Sequence, residues 1–257
     1  MTLTHYQIYG ERSSGTNILD YSLNENFDAI NVFSEITCVT DKKFKKYGHK
    51  HWFGYNSDFS DTDNTLFICI VRDPINWLKS LYKTPRCLYN SMIKSQESFL
   101  YGKVESCSYV YCETKPRYGF LTEKEVNPRT GLKYNNIFEL RHEKIKWMFE
   151  VLPKLVKNYI IIRYEDLIND FQGTMESIKN KGLKQKDDIK HGINETKKWM
   201  KRDGYNIDTI KFKFIQPDPK KKLVPKIIAQ NNKLLNLELK DVPKQYIYYE
   251  KILGYYS

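Results

Sequence analysis

The sequence has no apolar run that is long enough to cross a membrane. Its longest run, from Leu66 to Val71, is far shorter than the about 20 apolar residues that a membrane-spanning helix needs. The polar residues Thr4, His5 and Gln7 interrupt the beginning of the chain, so we expect no secretory signal there. These absences favour a soluble protein, and we expect it to be cytoplasmic, with no membrane partner.

Cysteine is scarce, and its number is odd. The five cysteines are Cys38, Cys69, Cys87, Cys107 and Cys112. Their spacing is not that of a zinc site, and Cys107 and Cys112 alone make a weak pair of ligands. We therefore expect reduced thiols and no bound metal.

Acidic residues are outnumbered by basic ones, 31 to 42, which gives a formal net charge of +11. A basic chain favours anionic partners such as nucleic acid, anionic glycans or nucleotide cofactors. A solvated, lysine-rich surface would produce the same charge. The charge alone therefore does not choose between these partners.

Strand and helix patterns alternate along the chain, which is typical of an α/β fold with a parallel β-sheet and helices on both faces. Residues 3–9 predict a strand, and an apolar helical spacing begins at Ile18. The continuous apolar run 65–71 predicts a buried parallel strand. Asp73 and Pro74 follow it as a strong helix start, with the aspartate as N-cap and the proline as the first helical residue.

The second half of the chain continues this pattern. Residues 137–151 predict an amphipathic helix, and residues 159–162 predict another strand. We assign residues 1–257 to a single domain, because a chain of this length can bury a core of its own. Residues 86–136 are interpreted as an insertion in this domain, and residues 180–222 as a lysine-rich segment.

A loop of small residues follows the first predicted strand. Its backbone N–H groups, hydroxyls and one cation suit a phosphate or phosphosulfate group at a helix N-terminus. The residues that offer these groups are Arg12, Ser13, Ser14, Gly15, Thr16 and Asn17. No Gly-Lys-Ser/Thr follows, so the loop is not that of ordinary ATPases and kinases. Taken alone, the loop is equally consistent with an ordinary turn between a strand and a helix.

Arg72 at the end of the second strand and Ser80 on the next helix form another candidate anion site. An arginine fork and a hydroxyl can together hold a terminal phosphate. Taken alone, Ser80 is also consistent with a solvent-facing position. Ligands of parallel sheets bind at the carboxyl ends of the strands, where we expect Arg72, the 10–17 loop and residues 163–166 to meet.

These segments resemble three motifs of one enzyme family, the sulfotransferases. Glu11–Asn17 resembles the family's 5′-phosphosulfate loop. Val71–Pro74, with Trp77 and Ser80–Tyr82, resembles its 3′-phosphate motif. Arg163–Leu167 resembles the Arg-Tyr-Glu-Asp-Leu segment that follows a later strand. The order and the strand contexts of the motifs agree with the family over the larger part of the chain.

The resemblance implies a P-loop-like sulfotransferase fold. It also implies transfer of a sulfuryl group from 3′-phosphoadenosine 5′-phosphosulfate (PAPS) to a hydroxyl or amine of a glycan or small molecule. The 10–17 loop would hold the 5′-phosphosulfate, and Arg72 and Ser80 the 3′-phosphate. 3′-Phosphoadenosine 5′-phosphate (PAP) would be the nucleotide product, and no metal would be needed.

A basic segment between the two nucleotide motifs contains the candidate general base. Cytosolic sulfotransferases have a lysine and a histidine base in this interval, and this chain has His49, Lys50 and His51 there. We predict that His51 is the base, because a histidine can accept a proton near neutral pH, and that Lys50 supplies positive charge. His49 as the base, or both histidines as surface residues, are the alternatives.

The chain departs from the family at the cation of the first loop. Many members have a lysine or arginine directly before the Ser-Gly-Thr of this loop. Ser13 stands at that position here, and Arg12 lies one residue earlier. Either Arg12 or Lys50 is therefore expected to support the leaving group.

Glu165 and Asp166 could be read as a carboxylate pair for acid–base chemistry, but we favour structural roles for both. Asp166 is predicted to be a helix N-cap. Glu165 is predicted to orient neighbouring cations.

Two other functions stay open at this point. One is a non-catalytic nucleotide or nucleic-acid binding protein of the same fold, which would use the charge of +11. We do not favour nucleic acid as the partner, although the sequence does not exclude it. The other is a divergent phosphate-transferring enzyme, against which the missing Gly-Lys-Ser/Thr argues.

The acceptor is expected to bind beside the insertion and the lysine-rich segment. The insertion has side chains that suit a sugar or a phenol and are equally consistent with packing: Tyr101, Tyr109, Tyr111, Arg117 and Tyr118. The aromatic tail, residues 246–256, is expected to pack on the body of the domain.

Overall fold

The structure is a computed structural model, and most of the chain is described in it. The described residues are 2–32, 47–48, 50–51, 58–85, 88, 91–106, 108–110, 119–121, 126–127, 129–186, 192–194, 196 and 235–256. The predictions for His49, for Tyr111, Arg117 and Tyr118, and for most of the 180–222 segment lie outside these residues.

A parallel sheet forms the centre of the described part. The strands are β1 (His5–Tyr9), β2 (Ile30–Asn31), β3 (Thr65–Val71), β4 (Ser108–Val110), β5 (Gly119–Leu121) and β6 (Tyr159–Arg163). Four of them form a sheet in the order β2-β1-β3-β6, and every neighbouring pair is parallel. Strands β4 and β5 form a separate antiparallel pair.

The described helices vary in length. They are α1 (Thr16–Asn26), α2 (Pro74–Lys83), α3 (Gln96–Tyr101), α4 (Ile137–Lys146), α5 (Leu152–Leu155), α6 (Tyr164–Asn169), α7 (Phe171–Asn180) and α8 (Tyr248–Ile252). A π-helical turn, Trp147–Val151, joins α4 to α5, and short 3₁₀ turns cover Leu239–Asp241 and Lys244–Tyr246. Of the described helices, none is long and apolar enough to cross a membrane.

Strand β3 is buried along its whole length because both faces of the sheet are covered. Successive side chains of a strand point to opposite faces. Leu66, Ile68 and Ile70 share one apolar cluster with residues of α1, α6 and α7. Phe67 and Cys69 share another cluster with residues of α4, the π-helical turn, α5 and α8. The predicted α/β fold, with helices on both faces of a parallel sheet, is confirmed at this level.

A third apolar cluster joins α2 to the described part of the 86–136 segment. The helix contributes Trp77, Leu78, Leu81 and Tyr82, and the segment contributes Leu88, Met92, Ile93, Phe99, Leu100, Val104 and Tyr134. Residues of α4 and of the 235–242 segment also belong to this cluster. The tail also packs on the body, as predicted, since Tyr249 and Leu253 are buried in the cluster beside the sheet.

The order in which strands are added to the sheet reverses between β1 and β3. The chain passes from β1 through α1 to β2 on one side of β1, and β3 then pairs with the other side. In open parallel sheets, such a switch point leaves a crevice at the carboxyl ends of the two strands, where ligands bind. Here these ends are Tyr9 and Val71.

The start of α2 is as predicted. Asp73 accepts a hydrogen bond from the Asn76 N–H at 2.8 Å, and Pro74 is the first helical residue. Two predicted bounds shift. The first strand begins at His5 rather than at residue 3. The helix predicted to end at residue 151 continues to Leu155 through the π-helical turn.

The N-cap prediction for Asp166 is wrong. Helix α6 begins at Tyr164, directly after β6, and its N-cap residue is Arg163. Asp166 lies in the first turn of the helix and forms an ion pair with Arg163 at 3.3 Å. A carboxylate in a first turn still interacts favourably with the helix dipole.

We expect Ile68→Ala to lower the free energy of unfolding by about 2–5 kcal/mol, because Ile68 is fully buried and its truncation leaves a cavity. The control Ile252→Ala removes a side chain that is 52% exposed and should cost less than about 0.5 kcal/mol. Urea unfolding of both variants measures the difference. Equal losses would contradict the buried position of β3.

Candidate functional site

Hydrogen bonds within the loop after β1 stabilise its turn. Ser14 donates from its N–H and its hydroxyl to the carbonyl of Glu11, at 3.1 and 2.6 Å. A Cβ at Gly10 would lie 2.8 Å from the carbonyl oxygen of Ile70, so the loop passes close to β3. Ser13 and Gly15 have positive φ angles of 67° and 101°. When residues with positive φ angles alternate with residues with negative ones, their backbone N–H groups turn towards a common point, where an anion can bind.

Helix α1 begins at this point without a capping side chain. Its N-cap residue is Gly15, no side chain caps the first turn, and no acidic residue lies in that turn. The N–H groups at a helix start carry a partial positive charge. The start of α1 therefore offers an anion position beside Thr16 and Asn17.

Lys50 and His51, which lie between the two motifs in the sequence, contact this loop. The N–H of Gly10 donates to the carbonyl of Lys50 at 3.0 Å. Nζ of Lys50 donates to Oδ1 of Asn17 at 2.7 Å. These two contacts place the positive charge of Lys50 at the start of α1.

The contact of His51 with Gly10 fixes the tautomer of its ring. Nδ1 of His51 lies 2.6 Å from the carbonyl oxygen of Gly10. A carbonyl oxygen only accepts, so Nδ1 carries the hydrogen. In the neutral ring, Nε2 is then the nitrogen that can take a proton.

Arg72 joins the second strand to the loop. Its Nη1 donates to the carbonyl of Ser13 at 3.1 Å, and its guanidinium lies 4.7 Å from the centre of the Tyr164 ring. Its Nε is buried and has no hydrogen-bond partner among the described residues. A buried guanidinium nitrogen without a partner is a place where a ligand oxygen can bind.

Ser80 lies two turns along α2 and is half-buried. Within the described part of the chain, no hydrogen bond of its hydroxyl is present. The structure thus joins Arg72 to the loop directly, and it places Ser80 on the helix that Arg72 precedes.

Arg12 is a buried residue of the loop rather than a cation on the protein surface. Its side chain is 1% exposed and lies 3.7 Å from the carboxylate of Glu11. Its carbonyl accepts from Nε1 of Trp77 at 2.8 Å. Arg12 therefore contributes its charge from inside the protein, beneath the loop.

A buried ion pair that the sequence analysis missed connects the loop to α4. Nζ of Lys144 donates to Oε1 of Glu11 and also, at 2.7 Å, to the carbonyl of His51. Both charged side chains are only 6% exposed. Lys144 thus holds the loop and the candidate base together. The signal in the sequence was a lysine directly before Ile145, on the apolar side of the predicted helix.

Glu165 does not pair with Asp166, so the acid–base interpretation that we disfavoured has no support here. Oε1 of Glu165 accepts from the N–H of Asp73 at 3.0 Å, and Oε2 accepts from the hydroxyl of Tyr255 at 2.7 Å. These partners are an amide and a phenol rather than the cations that we predicted. Burial and the nearby Glu165 carboxylate raise the pKa of Tyr255 above its ordinary value.

No group of three or more histidine, cysteine, aspartate or glutamate side chains in the described ranges could hold a metal ion. Cys69 is a free thiol, and burial raises its pKa above the ordinary value. Cys69 is therefore not part of the site at the switch point.

No protein-family model matches this chain, and the search of curated proteins gave no match. The fold and the geometry define the class only coarsely, as an α/β protein with a tight loop, an arginine and a histidine at the switch point of a parallel sheet.

We expect Gly15→Ala to destabilise the protein more than Gly131→Ala. Both glycines have positive φ angles, 101° and 70°, and alanine at such an angle costs about 1 kcal/mol or more. A Cβ at Gly15 would also lie 2.4 Å from Cδ2 of Tyr164, whereas a Cβ at Gly131 meets nothing within 4 Å. Thermal unfolding of the two variants gives the comparison. Equal shifts would contradict the close packing of the loop on Tyr164.

Proposed function

We propose that the protein is a sulfotransferase that transfers a sulfuryl group from PAPS to a hydroxyl or amine of a small molecule or glycan. The observation that carries the proposal is the hydrogen bond from Arg72 to the carbonyl of Ser13. It joins the two segments that resemble the nucleotide motifs of the family, at the switch point where ligands of such sheets bind.

The residues at this point fit a nucleotide with phosphate groups at two positions. The N–H groups at the start of α1 and the backbone of Ser13 and Gly15 suit a 5′-phosphosulfate. The fork of Arg72, with its buried and unpartnered Nε, suits a 3′-phosphate. Ser80 would add a hydroxyl from helix α2, which begins two residues after Arg72. Gly10 and Gly15 let the loop pack closely on Ile70 and Tyr164, because a Cβ at either position would clash with these neighbours.

The bound donor supplies an activated sulfuryl group, and the chain supplies the proton transfer and the charge. Nε2 of His51 takes the proton of the acceptor hydroxyl, since Nδ1 is engaged by Gly10. The start of α1 and Lys50 stabilise the negative charge that develops on the leaving phosphate. We assign this role to Lys50 rather than to Arg12, because Lys50 contacts Asn17 at the start of α1. The side chain of Arg12 is enclosed beside Glu11.

The cofactor is tested by calorimetric titration of the purified protein with PAP, 5′-AMP and ATP. We expect PAP to bind most tightly. Arg72→Ala should weaken PAP binding by about tenfold or more, because a charge-assisted contact to the 3′-phosphate is lost. The matched control is Arg129→Ala, which removes the same charge from a side chain that is 63% exposed and should leave PAP binding unchanged.

Two results would contradict the cofactor assignment. ATP that binds as tightly as PAP, or an equal effect of the two arginine variants, would remove the 3′-phosphate site. Salt-sensitive retention on nucleic acid without any sulfated product would instead support the non-catalytic nucleic-acid binder.

The base is tested by His51→Ala with labelled PAPS and a panel of phenol, alcohol, amine and glycan acceptors. We expect kcat to fall by about 10²–10⁴, the usual contribution of a positioned base, while PAP affinity is kept. His5→Ala is the matched control, because His5 begins β1 at the opposite end of the strand. Near-normal turnover of His51→Ala would remove the assignment.

A further inference from the structure

The peptide unit between Arg72 and Asp73 is held from both of its polar ends. The carbonyl of Arg72 accepts from Nη2 of Arg141 at 2.7 Å. The N–H of Asp73 donates to Oε1 of Glu165 at 3.0 Å. Both partners are charged side chains, and such hydrogen bonds are stronger than those between neutral groups.

Arg141 is held in turn by the tail. Its Nε and Nη2 donate to the two carboxylate oxygens of Glu250, at 2.5 and 2.9 Å. Both side chains are buried, with exposures of 6% and 3%. The guanidinium of Arg141 also lies 5.0 Å from the centre of the Trp77 ring. The position of Arg141 over the Arg72 carbonyl is therefore set by Glu250 of α8.

Glu165 is held by the tail as well. Its second carboxylate oxygen accepts from the hydroxyl of Tyr255 at 2.7 Å. The ring of Tyr255 lies under the guanidinium of Arg163, 5.2 Å from its central carbon, and Arg163 donates to the carbonyl of Leu253 at 3.3 Å. Two separate chains of contacts thus run from the tail to one peptide unit.

We propose that the tail is a positioning element for Arg72 and that it sets the preference for a 3′-phosphorylated nucleotide. This inference rests on the proposed function, because that function assigns the 3′-phosphate to Arg72. The contacts on the 72–73 peptide hold the backbone of Arg72 in place at the point where its side chain begins. An arginine fork is directional, so a shift of this backbone moves the fork away from the phosphate. Binding sites need such support from surrounding contacts.

The tail offers a matched pair of variants for the test. Tyr255→Phe removes the hydroxyl that donates to Glu165 and keeps the ring beside Arg163. Tyr256→Phe removes the neighbouring hydroxyl, which donates to the carbonyl of Leu239 at 2.9 Å rather than to Glu165. Each variant loses one phenol hydroxyl and no charge, so we expect both to fold.

The first readout is the ratio of the 5′-AMP and PAP dissociation constants, measured by calorimetry. We expect Tyr255→Phe to lower this ratio by about fivefold to tenfold through weaker binding of PAP. This is less than the full effect of one hydrogen bond to a charged group, because the lost bond acts on PAP only through Glu165 and Arg72. Tyr256→Phe should leave the ratio as in the wild type. In the Arg72→Ala background, Tyr255→Phe should have no further effect, because the tail acts through Arg72.

The second readout needs no nucleotide. Hydrogen exchange of the Asp73 amide should be faster in Tyr255→Phe than in the wild type and in Tyr256→Phe, because Glu165 loses its second anchor. Unchanged exchange would overturn the proposal.

The outcomes separate the two proposals. A wild-type protein that binds PAP and 5′-AMP equally would overturn the proposed function and, with it, the role of the tail in selectivity. A wild-type protein that prefers PAP, with equal ratios in the two tyrosine variants, would overturn the tail proposal alone.

Discussion

The parallel pairing of β1 with β3 is the constraint on which the rest of the site depends. The register runs from His5 opposite Thr65 to Tyr9 opposite Cys69, so the two strands deliver their next residues to the same edge of the sheet. The loop after β1 must then pass close to Ile70, where Gly10 has no Cβ to clash. This register therefore brings Arg72 next to the loop and the start of α1.

Buried charges of opposite sign hold this edge together. Removing a charge from water is costly unless a partner of opposite sign is present. The carboxylate of Glu11 meets Lys144 on one side and Arg12 on another. The carboxylate of Glu250 meets Arg141 through two contacts. Such pairs add specificity rather than much stability, because alternative packings would leave a charge alone in the interior.

Much of the fold was predictable from local pattern, whereas the contacts that organise the site were not. The buried run 65–71 and the N-cap Asp73 are local signals, and the structure confirms both. Asp166 looked like a cap because aspartate is a preferred N-cap residue, yet β6 leads straight into α6, which begins at Tyr164. The partner of Lys144 could not be read from the sequence, since it depends on how α4 packs across the sheet.

The same limit applies to Glu165. Its two partners come from different parts of the chain, the start of α2 and the tail. No spacing rule relates these positions. The chemistry of each residue was visible in the sequence, but the pairing of residues follows from tertiary packing.

The long sequence separations of these contacts have a kinetic consequence. Glu11 and Lys144 are 133 residues apart, and Arg141 and Glu250 are 109 apart. Contacts that close such long stretches of chain are costly in entropy and tend to form slowly. The central sheet can therefore assemble before these buried ion pairs are formed. The final ordering of the loop after β1 would then come at the end of folding rather than with the collapse of the core.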